Sequence, residues 1–133
     1  MKKFLIFLCA CLLLVGCNSK KEENVVNQPV DDTEVKLVME LDGYKDLKLE
    51  DIVSYEEIRF VYAGDIRKTY TDRETIESVY NMLSEVKIKN TTGASCEDNT
   101  TVHKFTVKDG TTYSFEFECG VFVYGRFRYE VVR

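Results

Sequence analysis

The chain holds one histidine and no apolar run long enough to cross a bilayer, and each scarcity removes a class of function. With His103 as the sole imidazole, a Ser-His-Asp triad would have to be built on it, and no Gly-x-Ser-x-Gly turn is present to carry a nucleophile. There is no His-Glu-x-x-His pair and no phosphate-cradling glycine loop, so zinc-peptidase and nucleotide-binding readings lack their residues. Glu116 and Glu118 form a carboxylate pair of the kind that serves sugar hydrolysis. Alternate carboxylates on the wet face of a strand are ordinarily just solvated. The expectation is a protein that is not an enzyme and uses no cofactor. Excess positive charge is also missing: 18 basic residues stand against 23 acidic ones, a net charge of −5. Such a surface repels phosphate backbones, and nucleic acid is not an expected partner.

What is present begins at the N-terminus. Met1-Lys2-Lys3 precedes an apolar run of twelve residues, Phe4 to Val15. A transmembrane helix needs roughly 20, whereas a basic start and a short apolar core describe a secretory signal. The ending, Leu14-Val15-Gly16-Cys17, resembles the bacterial lipobox. That resemblance implies that residues 1–16 are a cleaved signal peptide and that the Cys17 sulfur carries a diacylglyceryl group. The mature chain would then be lipid-anchored (palmitate or similar) on the extracytoplasmic face of the cell membrane. An ordinary secretory signal with incidental cysteines, Cys9 and Cys11 among them, is the alternative. Each buried CH₂ adds about 0.8 kcal/mol, so two or three chains on one cysteine hold where one would not.

Cleavage before Cys17 removes Lys2 and Lys3 and leaves a mature charge of −7, so the acyl group rather than charge must do the anchoring. Residues 17–34 comprise the lipidated cysteine and a polar stretch without aromatics, which includes Pro29. They read as a disordered tether floating the domain roughly 20–25 Å from the membrane. Residues 35–133 are then a single domain able to bury one core. Eight tyrosines and six phenylalanines fall within it.

Thr71-Asp72-Arg73-Glu74 fits a capping box with Thr71 as the cap. Ile76, Val79, Tyr80, Leu83 and Val86 follow at helical spacing on an arc of about 120°. Strands are expected around this helix: Val35 to Leu41, Glu57 to Ala63 and Ile66 to Tyr70, the last two joined at Gly64-Asp65. Leu47 to Tyr55 is ambiguous and suggests a short helical turn. At the C-terminus three turns specify one register. A Lys108-Asp109-Gly110 loop pairs Val107 with Thr111. A Cys119-Gly120 turn pairs Phe117 with Phe122, and a Gly125-Arg126 turn pairs Tyr124 with Phe127. All three place His103, Phe105, Tyr113, Phe115 and Phe117 on one face, with Phe122, Tyr124, Phe127 and Tyr129 continuing it. Glu116, Glu118, Arg128 and Glu130 take the other. The fold expected is α+β: a strand hairpin, one amphipathic α-helix and an antiparallel meander packed on that helix, with Phe115 beneath it near Leu83.

Cys96 and Cys119 are the only other thiols of the mature domain. An extracytoplasmic pair favours a disulfide, and the register sets Asn99 opposite Cys119, three residues from Cys96. Two free thiols are an alternative, as is a metal site of Cys96, Cys119, Glu97, Asp98 and His103. For the metal site, His103 faces the wrong way and the spacing matches no zinc pattern. The sequence expects no metal.

Lipobox, Lys/Glu/Asn tether, hairpin, helix and aromatic meander together resemble small bacterial lipoproteins assigned only to domains of unknown function. The resemblance carries no site residue beyond Cys17. It implies a non-catalytic binding or interaction module in the cell envelope, held to the membrane by its lipid and contacting an envelope protein, peptide or polymer. An enzyme-inhibitor or immunity-type lipoprotein is the alternative. An inhibitor should present a rigid loop, for which Asn90 to Thr101 is the candidate; a binding module should show an apolar patch or an open sheet edge.

Overall fold

The computed structural model describes residues 34–90 and 99–133; the signal, Cys17, the tether through residue 33, and Cys96, Glu97 and Asp98 lie outside the described residues. Among the described residues the protein is α+β, mostly antiparallel sheet with one α-helix. In chain order the elements are β1 (Lys36–Leu37), β2 (Ile52–Val61), β3 (Gly64–Tyr70), α1 (Arg73–Ser84), β4 (Lys87–Asn90), β5 (Thr100–Val107), β6 (Thr112–Glu118), β7 (Val121–Tyr124) and β8 (Phe127–Val132). The strands form one sheet in the order β1-β4-β8-β7-β6-β5-β2-β3, with every neighbouring pair antiparallel.

The meander follows the register its turns dictate. The Val107 N–H donates to the Thr111 carbonyl at 3.0 Å, with Gly110 at φ +89° closing the loop. His103 sits opposite Phe115, Phe105 opposite Tyr113, Phe117 opposite Phe122, Phe122 opposite Tyr129 and Tyr124 opposite Phe127. Phe105, Phe115, Phe122 and Tyr129 are fully buried. Each such ring contributes about 1.5–3 kcal/mol relative to an exposed one.

Two elements close over this face. Helix α1 contributes Ile76 and Leu83, both buried. The segment between β1 and β2 contributes Val38, Leu41, Tyr44 and Leu47 to the same core. The Tyr44 ring stacks on Phe115 with centroids 4.1 Å apart, and its hydroxyl donates to the Ser114 carbonyl at 2.6 Å. Phe115, expected under the helix, is therefore capped by Tyr44 while sharing one core with Leu83. Close approach explains Gly43. Its N–H donates to the Tyr124 hydroxyl at 2.7 Å, and a Cβ there would stand 2.4 Å from that oxygen.

Several expectations are corrected. The first strand shrinks from Val35–Leu41 to Lys36–Leu37, because the chain turns into a 3-10 helix at Val38–Glu40 that buries Val38. Strand β2 runs from Ile52 to Val61 rather than from Glu57 to Ala63, while the helical turn expected within Leu47–Tyr55 is present as a 3-10 turn at Leu49–Asp51. A bulge causes the ambiguity there: Ile52 pairs with Val107 and Ser54 with Thr106, leaving Val53 over. The extra residue lets both Ile52 and Tyr55 face the core, which no simple alternation allows. The hairpin turns at Tyr62-Ala63 rather than Gly64-Asp65, since Val61 pairs with Gly64. The helix cap is Asp72, whose carboxylate accepts from Thr75 N–H at 2.8 Å, not Thr71. Strand β4, which the sequence reading missed, lies between β1 and β8.

Candidate functional site

Strand β2 outruns its cover. Ten extended residues span about 33 Å, while the twelve residues of α1 span about 18 Å. Beyond Tyr55 the inner face carries no core cover among the described residues, and its residue types change. Inward positions hold Glu57 and Arg59, opposite His103 and Thr101 on β5 and opposite Lys68 and Ile66 on β3. The apolar residues of this stretch, Ile58 and Phe60, turn to the outer face, where Ile58 is buried and Phe60 is 38% exposed.

At the limit of the roof an aromatic row crosses the strands. Tyr55 stacks against Tyr70 and His103, with centroids 5.6 and 5.9 Å away, and His103 meets the edge of Phe117 at 5.8 Å. The Tyr55 hydroxyl and His103 Nδ1 are 2.7 Å apart. Burial pushes the Tyr55 hydroxyl well above its ordinary range. Burial also pushes the His103 imidazolium below its ordinary value, with the Glu57 charge opposing that shift. With His103 neutral and its proton on Nε2, Tyr55 donates to Nδ1. His103 thus fills a place in the aromatic face, as its strand position suggested, with the rings of Tyr55 and Phe117 among its neighbours.

Past this row lies a recess of about 100 Å³ lined by Glu57, Arg59, Ile66 and Lys68. Arg59 holds one Glu57 carboxylate oxygen through Nε at 2.6 Å and Nη2 at 2.5 Å. Lys68 stands opposite Glu57 in the register, yet among the described residues it forms no ion pair. The recess opens on β3, the end strand of the sheet among the described residues, where it pairs with β2 alone. Six of the seven β3 residues are exposed. Ile66 on β3 and Phe60, Val61 and Tyr62 beside it expose apolar surface, Tyr62 completely.

The other sequence candidates fall elsewhere. Glu116 and Glu118 are on the outer face, where Arg128 binds Glu118. Burial and the Glu118 charge raise the Glu116 carboxyl above its usual value. The Cys119 N–H donates to the Asn99 carbonyl at 3.2 Å, the pairing the register anticipated, and its side chain is not free. Cys119 has φ +48° and Gly120 φ +83°, a left-handed pair that makes a tight two-residue turn. Among the described residues no three metal-ligating side chains gather, and no helix is long and apolar enough to cross a membrane. An open sheet edge was expected of a binding module, but not that β3 would supply it, nor the recess beside it. The available signal was the phase of β2, where Glu57 and Arg59 share parity with core residue Tyr55.

No family model, curated protein or solved structure matches the chain.

Proposed function

We propose that this chain is a small bacterial lipoprotein, anchored through Cys17 on the extracytoplasmic face of the cell membrane. It works there as a non-catalytic module that binds an extended segment of another envelope protein or peptide. The domain is read as a strand hairpin, one covering helix and a C-terminal meander, together presenting the hairpin's outer strand to a partner. The single observation that carries the reading is the contrast between the two sheet edges. β1 is two residues long and offers little to pair with, while β3 offers seven residues without proline or bulge. A long, straight and exposed edge can accept an added strand, and the charges it carries, Asp65, Arg67 and Lys68, restrict which strand that is.

A disulfide between Cys96 and Cys119 is part of this reading. Its support is that Cys119 lies against Asn99, three residues from Cys96 in the chain.

The test is a photoreactive side chain placed at Thr69 on β3 or at Lys36 on β1 in the full chain in native membranes. Crosslinks to a discrete partner from Thr69 and not from Lys36 are expected. Equal crosslinking from both edges, or none from Thr69, would overturn the proposal.

A further inference from the structure

We propose that the strand accepted at β3 is acidic: an extended peptide segment with a carboxylate side chain that seats against Lys68 in the recess beside the edge. This rests on the edge reading above and adds to it the chemistry of the partner.

The argument is one of which charges are already satisfied. On the outer face of the edge, Arg67 lies 3.6 Å from both Glu56 and Asp65, and Lys104 shares Glu56 at 3.9 Å. An incoming strand finds no uncompensated cation there. On the inner face the natural counter-ion of Lys68 would be Glu57, directly opposite in the register. Arg59 has taken that carboxylate with two nitrogens. The recess thus holds two cations and one carboxylate, a local positive excess in a chain of net charge −5. Like charge elsewhere on the domain keeps an acidic partner away from other faces, while this recess attracts it.

Strand geometry makes the requirement specific. Side chains of an added strand alternate between faces, and those directly across from β3 lie about 4.5–5.5 Å away. One inward residue of the partner then falls beside Lys68. The inward residue two positions away falls beside Ile66, which is 48% exposed. The partner segment is therefore expected to carry a carboxylate and an apolar residue two apart, on the same face.

The experiment uses the full chain in lipid nanodiscs and fluorescent, end-blocked peptides of alternating valine and threonine. The peptides carry glutamate or lysine at one central position on the valine face. The glutamate peptide should bind about fivefold more tightly than the lysine peptide, in line with one exposed ion pair gained against one repulsion. Binding should slow hydrogen exchange along β3. K68M should abolish the preference and K68E should reverse it, while K36E on the far edge should leave it intact. Lys68 is exposed, so these variants should melt like the parent chain. Equal binding of the two peptides, or a preference that K68E leaves standing, would overturn the acidic partner without touching the edge reading, which the Thr69 crosslink decides separately. Absence of both binding and β3 protection also overturns it.

Discussion

Tyr129 is fully buried, yet its hydroxyl has no hydrogen-bond partner among the described residues. An unmatched buried hydroxyl costs about 1–3 kcal/mol, so Y129F is expected to leave stability unchanged or raise it by about 1 kcal/mol in urea denaturation; a marked loss would reveal a partner for that oxygen. Phe115 is the opposite case. Held between Tyr44 and the sheet, its truncation in F115A should cost about 3–5 kcal/mol, and a loss below about 1 kcal/mol would contradict the stacking. G43A should also destabilise, because the new methyl group meets the Tyr124 oxygen that Gly43 N–H now binds. His103 supplies a pH dependence with a definite sign. Its folded value lies below its ordinary 6.5 because burial disfavours the cation. The unfolded chain therefore takes up the proton first, and stability should be full above about pH 6.5 and fall as the pH drops below it. Melting curves of the parent and H103F across this range should show the parent's decline shrinking in the variant.

At the level of elements, what could be read from sequence depended on how many constraints each element carries. The meander was legible because three turns, each with glycine at a left-handed position, had to agree on one aromatic face. Its four fully buried rings, Phe105, Phe115, Phe122 and Tyr129, all belong to the face those turns specify. Helix α1 was legible in its apolar stripe and wrong by one residue at its cap. Thr71 and Asp72 are both good caps, and only the backbone bend decides that Asp72 accepts from Thr75. D72A should therefore cost about 1 kcal/mol and T71A less, as thermal denaturation would show. Strand β1 was legible in its place but not in its length, and β4 was not legible at all. Two and four residues carry too little alternation to register, and their pairing is imposed by β8 and by the Val38 turn. The same limit hid the recess. A bulge at Val53 resets the phase of β2, so the side on which Glu57 and Arg59 lie can be known only after Tyr55 is placed. If Cys96 and Cys119 are bridged, reduction should lower the melting temperature by several degrees for a domain of this size. Native protein prepared under oxidising conditions should then show neither thiol by titration.

For the molecule as a whole, the proposed anchor and the proposed binding edge make separable predictions. C17S should block lipidation and leave an uncleaved or released precursor, seen by mass and by membrane fractionation; a membrane-bound product of unchanged mature mass would exclude the lipobox. The sheet order also decides how the domain bears load. The described chain enters at β1, at the opposite end of the sheet from β3, seven strand spacings or about 34 Å along the sheet. Tension applied through Glu34 would first meet only the Lys36–Ile88 and Leu37–Lys87 pairs, which peel one after the other. The next resistance is Val38, fully buried, with its N–H on the Val86 carbonyl at 2.9 Å. Strand β1 thus acts as a mechanical fuse: pulled from that end, the domain should give up a short length at low force while β2 to β8 hold, leaving the far edge at β3 undisturbed.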